Sequence, residues 1–343
     1  MQFLFLLLWI RLVPSPPAWT VRTSGLDSNL RGVSVTSDRD PSDSPRQVVW
    51  ACGSKGVILK SLDSGKSWQQ LTVPGGEKLD FRGVQSFGAR TAYVMSIGNG
   101  ENSRVYKTTN GGADWTLQFT DERPEFFLDD IACITEKHCF VAGDPVDGKL
   151  YLAATDDGEH WKEVPRISMP QALPGEGAFA ASSTTLALDE KHGIYIATGG
   201  PAARVFYSPD FGQAWSASTT PILSGGASQG IFSVFCVGET EIVVGGDYKD
   251  LSRADKAAAY STDGGASWRL AAQQPGGFRS AVVYVGGTTL VAVGPSGEDV
   301  SSDMGVHWRP AGSLNLNAAM AHGGIAWGVG AHGTVATVSF RRN

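Results

Sequence analysis

The sequence predicts an all-β fold: a seven-bladed β-propeller of four-stranded antiparallel blades, closed by an N-terminal strand that completes the last blade. Three observations lead there. First, an octet recurs six times, as SLDSGKSW, TTNGGADW, ATDDGEHW, SPDFGQAW, STDGGASW and SSDMGVHW. Its skeleton is a small or hydroxyl residue, an Asp or Asn two places on, then Gly, and a Trp at the end. Second, Trp68, Trp115, Trp161, Trp215, Trp268 and Trp308 follow one another at 47, 46, 54, 53 and 40 residues, and a period of that size marks a repeat architecture. Third, each repeat reads as short alternating runs bounded by Gly, Asn and Asp, such as FRGVQSF, TAYVMSI, RVYKTT and WTLQFT. That is the pattern of four antiparallel strands.

One such sheet cannot bury both of its faces, but several arranged radially can, each packing on its neighbours. The blade count follows from the two ends of the chain. After Trp308 come three strand-like runs, LNLNAAMAHGG, IAWGVGAHG and TVATVSF, with no fourth. WTVRTSG, starting at Trp19, has the form of a fourth strand without partners before it, and lies 49 residues ahead of Trp68. Pairing it with the C-terminal run gives a seventh blade and removes the free sheet edge.

The octet is explained by the turn it must make between the third and fourth strands. An Asp or Asn side chain accepts hydrogen bonds from the N–H groups of its own turn, the Gly takes the positive-φ position, and the Trp wedges between sheets. Asp63, Asn110, Asp156, Asp210, Asp263 and Asp303 are therefore expected to be fold residues. Their repetition argues against catalysis, because an active site is needed once.

These octets resemble the Asp-box, or bacterial neuraminidase repeat, of sialidases, sortilin-like receptors and photosystem II stability and assembly factors. Further stretches, among them GDPVDGKLY, LPGEGAFAAS, GGDYKD and PGGFRSAVVYV, resemble exported bacterial proteins described as photosystem II assembly factor-like. The resemblance covers nearly all of 19–343, a single propeller domain, and implies a binding or scaffold module. Sialidases are six-bladed and carry an Arg-Ile-Pro-type segment before the first octet, where this chain has LRGV.

Composition narrows the partner. A net charge of −6 gives no basic face for nucleic acid. The apolar run from Phe3 to Ile10, extended to Val13 across Arg11, is too short to span a bilayer. It reads as the core of a secretory signal over residues 1–18, hence an exported, periplasmic or extracellular monomer. Cys133 and Cys139, in CITEKHC, could face each other across a hairpin and form a bridge; Cys52 and Cys236 read as small buried hydrophobes. The six histidines are scattered, and no nucleotide-binding or nucleophile motif occurs, so neither a metal nor a cofactor is expected.

The long connections SIGNGENS, GDPVDGK, GGDYKDLSRADKA, VPRISMPQALPGEG and TTPILSGGASQG all fall on the face opposite the octets, where binding on a rigid scaffold is expected. Aligning the innermost strands as LRGV, FRGV, LDDI, FRSA and LNAA sends Arg31, Arg82, Asp129, Arg279 and Asn317 into the channel mouth there. Asp144, Glu176, Asp247 and Tyr248 come from neighbouring connections. Arg204 forms a second basic group with Arg104 and Lys149. Arginine forks at a concave mouth suit a carboxylate or other anion, so a protein segment or an anionic or carbohydrate ligand is the expected partner. The alternative is an exo-acting glycoside hydrolase, sialidase-like, with Asp129, Glu176 and Tyr248 as its catalytic groups. Such chemistry needs two carboxyls at a defined separation.

Overall fold

Every octet closes its hairpin with one hydrogen-bond pattern. The leading hydroxyl accepts from the Gly N–H, as Ser61 does from Gly65 at 2.8 Å, and donates to the carboxylate of Asp63 at 2.8 Å. That carboxylate also accepts from the N–H of the residue just before the Trp, here Ser67 at 2.9 Å. Asn110, Asp210, Asp263 and Asp303 repeat this. In the third repeat the turn is one residue shorter. Gly158 donates to Thr155 three residues back, not four, and Asp157 accepts from His160 at 2.8 Å. Asp156, expected in that role, lies exposed beside the His138 ring at 3.4 Å. The cause is the displaced hydroxyl, which stands second in ATDDGEHW and first in the other octets.

The computed structural model describes residues 17–38, 46–189, 191 and 193–340. The expected signal falls almost wholly outside them, as do His192 and most of the long turn in the first blade. Among the described residues no helix is long and apolar enough to cross a membrane. The strands form seven sheets around an axis, numbered here as blades 1 to 7 from Leu30. Blade 1 runs outward through Leu30–Asp38, Arg46–Gly53, Ile58–Ser61 and Gln69–Leu71. Blade 7 consists of Leu316–His322, Ile325–Gly330 and Thr334–Ser339, with Thr20–Thr23 outermost. Thr20 pairs with Thr337 and Arg22 with Val335, which closes the ring as the sequence implies. One addition to the four-stranded plan is the short segment Gly199–Gly200, which leaves blade 4 to pair with the innermost strand of blade 5.

Among the described residues seven apolar clusters fill the seven gaps between blades, and in each a tryptophan from the outer part of one blade packs against the preceding blade; Trp50 and Trp327 add a second ring to two of them. Trp115, Trp161, Trp215, Trp268 and Trp308 fill the gaps before blades 2 to 6. Trp68 sits between blades 7 and 1. Trp19 supplies the seventh, between blades 6 and 7. Thus the N-terminal strand brings both the missing edge and the missing wedge. On the octet face of blade 3, Cys133 and Cys139 are paired neighbours across the hairpin and are joined in a disulfide.

Trp19→Ala empties the closing wedge and lowers unfolding free energy by about 3 kcal/mol, the low end for a Trp truncation because this ring is only partly buried; urea unfolding measures it. Asp157→Ala lowers the melting temperature at neutral pH, whereas Asp156→Ala leaves it unchanged. The acid limb shows the same chemistry. The Ser267 hydroxyl and N–H hold Asp263 down at about 2, so its contribution is present above pH 4 and is lost as pH falls toward 2.

Candidate functional site

At the loop-rich end of the channel, five innermost strands carry a β-bulge at one level. The register slips between Leu30 and Gly32, Phe81 and Gly83, Leu128 and Asp130, Ile231 and Ser233, and Leu316 and Ala318. A bulge leaves its extra residue out of the ladder and re-aims the side chain. Here the extra residues are Arg31, Arg82, Asp129, Phe232 and Asn317, and all five line one cavity of about 600 Å³.

Blade 6 corrects the sequence alignment. The Gly294 backbone lies against the Arg279 α-carbon as Gly53 lies against Leu30 and Gly330 against Leu316. Arg279 therefore stands in the leucine position, one place earlier than FRSA suggests, and Ser280 faces the cavity. Arg279 is 3% exposed, and its guanidinium donates to Asp299 at 2.6 Å and to the Phe278 carbonyl at 2.8 Å. It is a buried structural pair and not a rim residue.

Blade 4 contributes a floor. Ahead of its innermost strand, Leu186–Leu188, the chain crosses the channel and bonds to four other blades. Arg82 donates to the Ala180 carbonyl at 2.7 Å, and Ser182 to the Ser280 carbonyl at 2.7 Å. Val234 N–H donates to the Thr184 carbonyl at 2.8 Å, and the Ser183 hydroxyl donates to the Asp130 carboxylate. Asp130 also accepts from Leu186 N–H at 2.7 Å. Burial pushes its carboxyl up to about 6 against these donors. Gly83 permits the approach, since a Cβ there would meet the Ser183 hydroxyl at 2.9 Å and an Ile131 methyl at 2.6 Å. Residues 178–181 line the cavity above, while residues 182–184 line a recess of about 270 Å³ on the octet side.

The cavity walls differ in chemistry. Arg82 is forked onto Asp80 at 2.7 and 3.0 Å. Arg31 donates to the Asn317 amide oxygen at 3.4 Å, has a buried Nε without a partner, and makes no ion pair with another described residue. Burial and then the Arg82 charge push its guanidinium down to about 10. Opposite stands an aromatic group. Phe179 from the floor stacks on Phe232 at 4.0 Å, Phe278 meets Phe232 edge-on at 4.7 Å, and Tyr248 closes on both stacked rings. Blade 3 adds Asp129 and Asp144. Burial, then Asp144 and Asp130, pushes Asp129 well above the ordinary carboxylate range, and burial pushes Asp144 up to about 6.

Of the residues singled out from sequence, Arg31, Arg82, Asp129, Asp144, Tyr248 and Asn317 share this cavity. Glu176 and Arg204 do not join them. They form a buried pair in which Arg204 Nε donates to Glu176 at 2.8 Å, and the Thr198 hydroxyl and the Leu173 N–H donate to its two oxygens at 2.6 and 2.8 Å. With both oxygens occupied, Glu176 clamps its own loop. Asp247 accepts from Gln229 and Lys249 N–H, capping its own turn. Arg104 and Lys149 likewise tie down loop carbonyls. Phe179, Phe232, Phe278 and Asp130 were missed. The signal for the first two was the lack of an alignable start for blades 4 and 5.

No protein-family model matches the chain, and no curated protein sequence matches it. Solved structures with a similar fold include YCF48 bound to a D1 peptide, 14% identical with a TM-score of 0.66 over 95% of this chain and 100% of that one. YCF48 from Cyanidioschyzon merolae is 15% identical, with a TM-score of 0.63 over 94% and 99% of the two chains. Virginiamycin B lyase from Staphylococcus aureus is 12% identical, with a TM-score of 0.65 over 94% and 100%. At these identities the likeness is one of fold: the chain is a seven-bladed propeller of four-stranded antiparallel sheets.

Proposed function

We propose that the protein is an exported, non-catalytic propeller that binds a protein segment in the floored cavity of its loop-rich face. The observation that carries this reading is the pairing of a cationic wall with an aromatic one above a closed floor. A peptide side chain or terminus has both apolar surface and charge to offer such a cavity. Arg31 has no carboxylate of its own among the described residues, which leaves its guanidinium able to take an anionic group. Tyr248, 45% exposed, offers a rigid ring at the rim. A fold similar to that of YCF48 bound to a D1 peptide supports a peptide as occupant. Export is supported by the apolar N-terminal run and by the Cys133–Cys139 bridge, since disulfides persist in oxidising compartments.

A second reading, an exo-acting glycoside hydrolase, draws support from the Asp129–Asp144 pair, because raised carboxyls at a cavity suit acid catalysis. Chromogenic glycosides separate the two: turnover that disappears in Asp129→Asn favours the hydrolase.

Binding to an array of immobilised peptides tests the main reading. A subset of peptides is expected to bind, and Arg31→Ala or Tyr248→Ala should each weaken them about tenfold, or ~1.4 kcal/mol, at an unchanged melting temperature. Binding indifferent to both substitutions, or no binding at all, contradicts it.

A further inference from the structure

We propose that the cavity contains a second subsite, opposite in sign to the arginines, in which Asp129 and Asp144 take the ammonium or guanidinium group of a basic peptide side chain. This rests on the peptide-binding reading and specifies the occupant. Asp129 is 1% exposed, its Oδ2 is buried without a hydrogen-bond partner, and the bulge aims it into the cavity. Other buried carboxylates are supplied with partners: Glu176 with Arg204, Asp299 with Arg279, and Asp130 with three donors around the floor. Glu241 also makes no well-formed hydrogen bond, but Ser261, Gly265 and Tyr195 stand close around it, and it is fully buried and lines none of the cavities described above.

A buried carboxylate without a partner is costly, and the half-buried Asp144 beside it raises that cost. The arginines across the cavity do not relieve them. Arg82 is taken up by Asp80 and the Ala180 carbonyl, and Arg31 reaches the Asn317 amide but pairs with neither acid. A cation entering from the mouth would satisfy both acids, while its aliphatic stem or guanidinium plane would lie in the same cavity as Phe179 and Tyr248, whose ring faces attract cations. Among the described residues no group of three or more His, Cys, Asp or Glu is placed to hold a metal ion, so the pair suits an organic cation better than calcium, which takes six to eight oxygens.

The acids also make occupancy proton-linked. Asp129 feels Asp144 beside it and Asp130 behind it, Asp144 is approached by the Ala178 N–H, and Arg31 and Arg82 face them from blades 1 and 2. The free pair keeps a proton that the cation must displace. Burial pushes both carboxyls above their ordinary range, Asp144 up to about 6, so affinity rises as pH climbs past it. By the same linkage the free protein is stabilised below pH 4 and loses that contribution as pH rises past 6.

The test titrates the whole chain with Nα-acetyl-arginine amide, Nα-acetyl-lysine amide and the uncharged Nα-acetyl-citrulline amide, followed by calorimetry or NMR. At least one cationic probe should saturate, citrulline should bind at least tenfold more weakly, and the cation should bind about tenfold more weakly at pH 5 than at pH 8. Asp129→Asn should abolish cation binding and raise the melting temperature at pH 8, which shows that the variant is folded and that the acid pair is strained in the free protein. Equal citrulline binding, a flat pH profile, retention by Asp129→Asn, or no saturation overturns the proposal. Array peptides that depend on Arg31, contain no basic residue and ignore Asp129→Asn would remove this subsite and leave the peptide-binding reading intact. Probe binding with an array that binds nothing would remove the broader reading instead.

Discussion

The site depends on Asp130. A propeller channel is open at both ends, and here one buried carboxylate holds the strand that closes it. By accepting from Ser183, Thr185 and Leu186 N–H, Asp130 fixes the start of blade 4 against blade 3. The chain before that point then lies across the axis, with Phe179 on the mouth side and residues 182–184 on the other. The channel becomes a cavity with a floor, and the stacked pair Phe179–Phe232 becomes part of its wall.

Above the floor, the repeat turns one backbone device to different chemical ends. Five bulges at a common level re-aim five side chains, yet those side chains are arginine, arginine, aspartate, phenylalanine and asparagine. Scaffold and site thus separate cleanly: the ladder and the tryptophan wedges recur, while the bulged residue varies. The cavity that results segregates positive charge, negative charge and aromatic surface into three sectors. Such a cavity discriminates through the order in which a ligand presents its groups.

The architecture was legible because its signals are repeated. Six octets reveal the turn, and the lone WTVRTSG reveals the closing strand; Trp19 and the Arg22–Val335 pairing answer to both. In two places a single residue of offset separates the local string from the fold. ATDDGEHW offers two aspartates, and the hydroxyl position decides which one caps the turn. FRSA resembles FRGV, yet Arg279 occupies the interior position and Ser280 the cavity, a choice made by the buried partner Asp299 and invisible in a local string. The floor was hidden for another reason. Its hydrogen bonds join residues 50 to 100 positions apart, and GAFAASSTT has neither octet nor alternation to mark it.

Amide hydrogen exchange in the unliganded chain tests the floor most directly, because the Leu186 and Val234 N–H groups donate to Asp130 and to the Thr184 carbonyl. Both should exchange as slowly as the amides of the innermost strands of blades 2 and 3, since opening them requires the crossing segment to leave the channel. Exchange at Leu186 as fast as at the exposed Ile167 would mean that the channel is open in solution and that the cavity has no floor.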